Sequence, residues 1–241
     1  MSQADHVHYN HYSAIMIQRL DGFFGVVDES INKQIHETVE GTSVLDIGCG
    51  FGSLVDYLGR HSIKATGIDM LEFCVAAGKE RFPQADLRFV PAEGLPFDDQ
   101  SFDTVTLKDT LHHLFAEADT AAVMREIRRV CRKRVVVMDP NPTLLLLAAR
   151  KLIGHVDAVC SPKDACRILE EGGFLVKTIS FSEVIGFPLS GGYVGPPMVP
   201  RIPWLFRAVN FMDRAALRLI QTFGLSEQFC WRYLIIADRA S

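Results

Sequence analysis

The sequence predicts an α/β fold, a parallel sheet covered by helices on both faces, and three observations carry that expectation. Short apolar runs near 43–47, 64–69, 86–90, 102–107 and 133–138 alternate with helix-period segments near 53–60, 71–81 and 117–131. The first run, Val44-Leu45-Asp46-Ile47, ends in a glycine-rich turn, and Ser53 to Leu58 opens a helical pattern directly after it. At 241 residues, 48% hydrophobic and 22% charged, the chain has enough apolar sequence for one sizeable core.

Taken in order, residues 10–36 read as helical, with Ile15, Ile17, Leu20, Phe23 and Phe24 on an uneven apolar face. The turn Gly48-Cys49-Gly50-Phe51-Gly52 follows the first strand. Glycines there let the backbone adopt unusual φ values and approach a ligand, and the free N–H groups of the next helix favour a negative group. The spacing is not the nicotinamide fingerprint G-x-G-x-x-G, because Gly52 comes one residue too early. Asp46, before the first glycine, is suited to accepting backbone N–H bonds of the turn and to facing a cationic ammonium group. The second strand ends in Asp69, about 20 positions past the turn, where a carboxylate can accept both hydroxyls of a ribose. Asp69 therefore signals a nucleoside, and it equally suits an N-cap for the helix from Leu71 onward.

The next stretch is Phe89-Val90-Pro91-Ala92-Glu93-Gly94-Leu95-Pro96-Phe97, continued by Ser101-Phe102-Asp103 and then by Leu111-His112-His113-Leu114. Together with the glycine turn, these segments resemble the class I S-adenosylmethionine (SAM) dependent methyltransferases, in the small-molecule branch called type 11. The resemblance covers 42 to about 139 well. It implies a Rossmann-like parallel sheet with helices on both faces and an antiparallel last strand. It implies SAM as cofactor and S-adenosylhomocysteine as product, with Ala92 and Glu93 meeting the adenine. The cofactor-binding residues it points to are Asp46, Gly48, Cys49, Gly50, Gly52, Asp69, Met70, Ala92, Glu93 and Lys108.

Farther on, Ser161-Pro162-Lys163-Asp164 has the form of a helix start, with the helix ending at Gly172-Gly173 before a strand from Phe174 to Phe181. Phe229 to Ala237 reads as the last strand. Between them, Gly186 to Gly224 holds a Pro/Gly-rich loop and an apolar helix from Pro203 to Ile220. In the family it resembles, this segment covers the substrate side of the sheet. Trp204, Phe206, Phe211, Met212 and Leu217 suit an apolar acceptor pocket, a membrane surface or an ordinary core-facing helix. Leu144–Ile153 and the N-terminal Tyr9, Tyr12, Phe23 and Phe24 are the other lid candidates. The expected organisation is one domain over 1–241: an N-terminal helical lid at 1–40, a SAM-binding core at 41–140 and a substrate-side cover at 186–224.

The resemblance implies transfer of the SAM methyl group to a small, hydrophobic or lipid-linked acceptor. Asp109, His112, His113 and Asp139 fall at or beyond the ends of predicted strands, where open α/β sheets bind ligands. An oxygen acceptor of high pKa needs a general base, and histidine titrates near the working pH. His113 or His112 is the expected base, with Asp109 a third candidate. No N/D-P-P-Y sequence follows the fourth strand, which counts against methylation of amino groups in nucleic acids or glutamine. Two alternatives stay open: a nicotinamide-dependent oxidoreductase and a non-catalytic SAM-binding protein.

The net charge of −4 gives no reason to expect nucleic acid. Arg125, Arg128, Arg129, Arg132, Lys133 and Arg134 read as the solvated side of an amphipathic helix running into a strand. Six scattered cysteines form no C-x-x-C pair, which argues against zinc and disulfides and for a reduced, cytoplasmic setting. His6, His8 and His11 suit a histidine-bearing terminus better than a metal site. No apolar run is long enough to cross a bilayer, so the expectation is no integral membrane segment, with peripheral membrane contact open.

Overall fold

The structure is a computed structural model describing residues 17–117, 119–152, 158–192 and 197–240. Its helices are α1 (Phe23–His36), α2 (Ser53–Arg60), α3 (Glu72–Arg81), α4 (Leu111–Glu117), α5 (Thr120–Val130), α6 (Leu144–Leu152), α7 (Pro162–Glu171), α8 (Gly186–Leu189), α9 (Pro203–Thr222) and α10 (Ser226–Phe229). The strands are β1 (Ser43–Ile47), β2 (Lys64–Asp69), β3 (Asp86–Phe89), β4 (Phe102–Lys108), β5 (Cys131–Pro140), β6 (Phe174–Ser182) and β7 (Arg232–Arg239).

One seven-stranded sheet runs in the order β3-β2-β1-β4-β5-β7-β6. The first five strands are parallel, and β7 slots antiparallel between β5 and β6. The expected antiparallel last strand is therefore present. Strand order reverses between β1 and β4, the switch point where such sheets open a ligand crevice. Because β7 is inverted, its first residue Arg232 pairs with both Pro140 and Ser182, which brings all three to the ligand edge.

Period-two alternation places apolar residues on both faces. Val135 and Val137 point to a core shared with α4, α5 and α7, while Val136 and Met138 point to one shared with α1, α2 and α9. Ser161 caps α7 by accepting the Asp164 N–H at 3.1 Å, with Pro162 in the first turn and Gly173 at φ +81° after its end.

Several boundaries differ from the sequence reading. The helix expected over 117–131 is α5, which starts at Thr120 with Asp119 accepting the Ala122 N–H, and the L-H-H-L element forms the separate helix α4 before it. α5 then passes into β5 at Cys131 with no loop between. The last strand starts at Arg232, because 226–229 form the helical turn α10. In the segment read as a lid at 1–40, α1 is a core layer: Phe23, Val27, Ile31 and Ile35 are buried against the sheet, and Phe24 is buried too. Tyr9, Tyr12, His6, His8 and His11 lie outside the described residues, as do Tyr193 and Ile153. The basic run is also less solvated than expected. Arg129 binds Glu126, Asp99 and the Leu95 and Phe97 carbonyls, and Arg134 binds Asp238, Glu40 and the Thr38 carbonyl.

Candidate functional site

The glycine turn explains itself residue by residue. Gly48, Gly50 and Gly52 all have positive φ, at +69°, +53° and +79°. A Cβ on Gly48 would lie 2.3 Å from the Thr110 hydroxyl oxygen, and one on Gly52 would lie 2.6 Å from Leu87. Those two glycines are demanded by packing. At Gly50 a Cβ would meet nothing within 4 Å, so this glycine faces open space.

The turn is fastened to β2 through Asp69. Its carboxylate accepts the Gly50 N–H and the Leu71 N–H, each at 2.8 Å. Burial pushes the Asp69 pKa up, and these backbone bonds together with nearby His113 pull it back. Asp69 is not the N-cap of α3, which starts without a side-chain cap. Met70 beside it is 61% exposed. Cys49 packs where Gly67 leaves room, since a Cβ on Gly67 would come within 2.8 Å of its sulfur.

Asp46 is buried under the turn and accepts the Thr106 hydroxyl at 2.8 Å. That bond, and not a backbone N–H of the turn, is its hydrogen bond in this structure. Burial pushes its pKa up to about 7, opposed by Thr106 and by the positive charge of Lys108. Lys108 uses all three ammonium hydrogens inside the protein, on Asp28 at 2.5 Å, Asn32 at 2.7 Å and Ser53 at 3.3 Å. It locks α1 and the start of α2 onto the end of β4. Ala92 is buried after β3, and Glu93 next to it is exposed.

The other half of the ligand edge is built from β4, β5, β6 and β7. His112 is buried, its Nδ1 lies 2.9 Å from Asp139, and its backbone N–H reaches the same carboxylate at 3.1 Å. With Asp139 ionised, Nδ1 carries the proton and Nε2 keeps the lone pair. Burial raises the Asp139 pKa, and His112 opposes that shift. The His113 ring packs at 4.2 Å from that of His112 and is partly exposed. Asp109 adopts φ +55° and is ion-paired with Arg232, which sits over the Phe187 ring at 4.5 Å.

Sequence reasoning missed part of this edge. Glu183 is buried after β6 at φ +61°, with its pKa pushed up to about 7 by burial and by the neighbouring Asp213. Asp213 of α9 accepts the N–H groups of Val184, Ile185 and Gly186 at 3.0, 2.6 and 2.8 Å. The available signal was one of pattern: Asp213 is the only acid in α9, and it falls on the helix's inner face. Asp28 and Asn32 likewise interrupt the apolar face of α1 at i,i+4 spacing.

A doubly wound sheet with a glycine turn, a nucleoside-type acid after β2 and an inverted last strand defines the class I SAM-dependent methyltransferase architecture. Residues 45–138 match the family model described as a methyltransferase domain. The chain is 26% identical over 209 residues to O-methyltransferase rstn1 of Aspergillus nomiae, covering 73% of this chain and 90% of that one. It is 36% identical over 88 residues to the ubiquinone biosynthesis O-methyltransferase of Coxiella burnetii, covering 35% of this chain and 37% of that one. With the phosphatidylethanolamine N-methyltransferase of Cereibacter sphaeroides it shares 34% identity over 122 residues, 47% of this chain and 58% of that one. A SAM-dependent methyltransferase from Archaeoglobus fulgidus superposes with a TM-score of 0.63 at 21% identity, covering 88% of this chain and 93% of that one. The chain is thus similar to the class I SAM-dependent methyltransferases of the type 11 branch, and the cofactor that goes with this likeness is S-adenosylmethionine.

Proposed function

We propose that this chain methylates an oxygen or nitrogen of a small, apolar or lipid-linked acceptor, working in the cytoplasm. The single observation that carries the cofactor half is the Asp69–Gly50 bond, which joins residues 19 positions apart into one cradle beside open space. Gly48, Cys49, Gly50 and Gly52 shape that cradle's floor, and Asp69 has lone pairs left for the ribose hydroxyls. Met70, Ala92 and Glu93 follow the ends of β2 and β3, where the adenine is expected. Asp46 is the anionic group beneath the turn. Lys108 acts through α1, since its hydrogens are already placed. The bound cofactor supplies an electrophilic methyl group, so the protein's main task is to align the acceptor with it.

His112 and His113 are the proposed acid–base residues. Asp139 orients His112 and stabilises its protonated form, as a carboxylate does for a catalytic imidazole. His113 lies nearer the cofactor cradle, close enough to lower the Asp69 pKa. The Asp109–Arg232 pair is a positioning element at the same edge. Relatives named for O-methylation and for phosphatidylethanolamine N-methylation support a small or lipid-like acceptor. Six free cysteines support a reducing compartment, and no helix among the described residues is long and apolar enough to cross a membrane.

Calorimetry with SAM, S-adenosylhomocysteine and NADH tests the cofactor reading, and isotopically labelled methyl-SAM with metabolite extracts tests the acceptor. SAM and S-adenosylhomocysteine should bind and NADH should not. Binding of NADH alone would overturn the proposal.

A further inference from the structure

Helix α9 is tied to the sheet on one side and bare on the other. At 3.6 residues per turn, Val209 and Asp213 lie on its inner face and are buried, and Phe206 packs on Phe23 at a ring distance of 5.4 Å. The opposite face carries Trp204, Phe211 and Leu219, exposed at 68%, 75% and 61%. Helices of soluble domains turn such residues inward, so an outward apolar stripe marks a contact surface.

Charge selects what covers it. Arg207, Arg214 and Arg218 form an exposed row along one edge of the stripe. The only acid in the helix, Asp213, is buried and already holds three N–H groups of the loop before and at α8. The outward charges of α9 are therefore all positive, in a chain whose net charge is −4. An apolar stripe with tryptophan and phenylalanine, flanked by arginines on a 20-residue helix, is the pattern of a helix lying in the headgroup region of an anionic bilayer. A second copy of the chain would bring the same positive row to the contact. Helix α6 has a similar composition, with Leu144 and Leu152 exposed at 86% and 88% and basic residues in its last turn.

We propose that the outer face of α9 binds the surface of an anionic membrane, so that the enzyme works against a lipid bilayer. The Asp213 tether places this helix beside Glu183 at the acceptor end of the sheet, so docking would bring that edge to the lipid. The proposal deepens the reading of an apolar acceptor, but vesicle binding requires neither SAM nor an acceptor, so the two fail separately.

The test is co-sedimentation of the full chain with neutral phosphatidylcholine vesicles and with vesicles containing roughly 30% phosphatidylglycerol. Trp204 supplies an independent signal, because the other tryptophan, Trp231, is buried at 7% exposure. Binding to the anionic vesicles with a blue shift in emission is expected. The Phe211→Ser/Leu219→Ser variant should lose about tenfold or more in partitioning, and Arg207→Ser/Arg214→Ser should lose the preference for anionic lipid. An unchanged thermal shift with SAM would show that both variants are folded. Should a variant not fold, the wild-type emission shift on anionic vesicles decides alone. Absence of vesicle binding, binding indifferent to these substitutions, or a concentration-dependent dimer dispersed by Phe211→Ser would each overturn the proposal.

Discussion

The carboxylate of Asp69 accepts the Gly50 N–H at 2.8 Å, so the end of β2 holds the turn that follows β1. Its other oxygen accepts the Leu71 N–H at the same distance. One side chain thus shapes the cradle before any ligand arrives. In Asp69→Ala both charge-assisted bonds vanish, each worth on the order of 1.5–3 kcal/mol before non-additivity. SAM affinity should fall by about tenfold or more, and ligand-free stability should fall as well. Calorimetry and denaturant titration of the same variant measure the two effects. Intact ligand-free stability with weakened SAM would show that the backbone bonds are dispensable and only the ribose contact matters.

Gly50 and Gly48 separate ligand space from packing. A Cβ at 50 meets no atom within 4 Å, and the left-handed backbone there costs a side chain about 1–2 kcal/mol, so Gly50→Val should fold and fail to bind SAM. A valine at 48 collides with Thr110, and Gly48→Val should be unfolded or strongly destabilised. Circular dichroism and calorimetry distinguish the outcomes. SAM binding by Gly50→Val at wild-type strength would remove the cradle from this position.

The parallel half of the fold was legible because its signals are local. Val44 to Gly52 carries strand, turn and helix start in one reading frame, and Asp69 lies at a fixed distance beyond it. The acceptor edge was harder to read because its residues come from distant segments. Arg232 meets Asp109 only because β7 runs antiparallel, and Asp213 meets Val184–Gly186 only once α9 has docked. Nor does spacing alone tell which aromatic residues of α9 turn inward. Phe206 packs on Phe23, whereas Phe211, on the same helix, faces outward.

Glu183 predicts a pH dependence of stability. Burial, then the Asp213 charge, raises its pKa from 4.5 to about 7, with Arg232 opposing the shift. The raised value means the folded state prefers the protonated acid. That contribution is fully present below about pH 4.5 and is lost as pH rises through about 7. Glu183→Gln mimics the neutral form. It should be close to neutral at pH 5 and stabilising by up to roughly 3 kcal/mol at pH 8. Thermal melts of both proteins across this range provide the check. A difference independent of pH would mean that Glu183 does not titrate in this window.

Asp213 predicts how the cover is held. Its side chain receives three backbone N–H groups from Val184 to Gly186, in a site where it is only 6% exposed. Removing the carboxylate leaves those donors buried and unmet, at a cost of about 1–3 kcal/mol for each one that water cannot reach. Asp213→Ala should loosen α9 from the sheet edge and speed proteolytic cleavage within 186–224. SAM affinity should stay within a few-fold, because the cofactor cradle is built from β1, β2 and β4 at the other half of the edge. Asp213→Asn keeps an acceptor oxygen for the same groups and should behave more nearly like the wild type. Cleavage mapped by mass spectrometry, with SAM titrations alongside, reads both effects. If Asp213→Ala resists protease as well as the wild type, the tether is not what docks the helix.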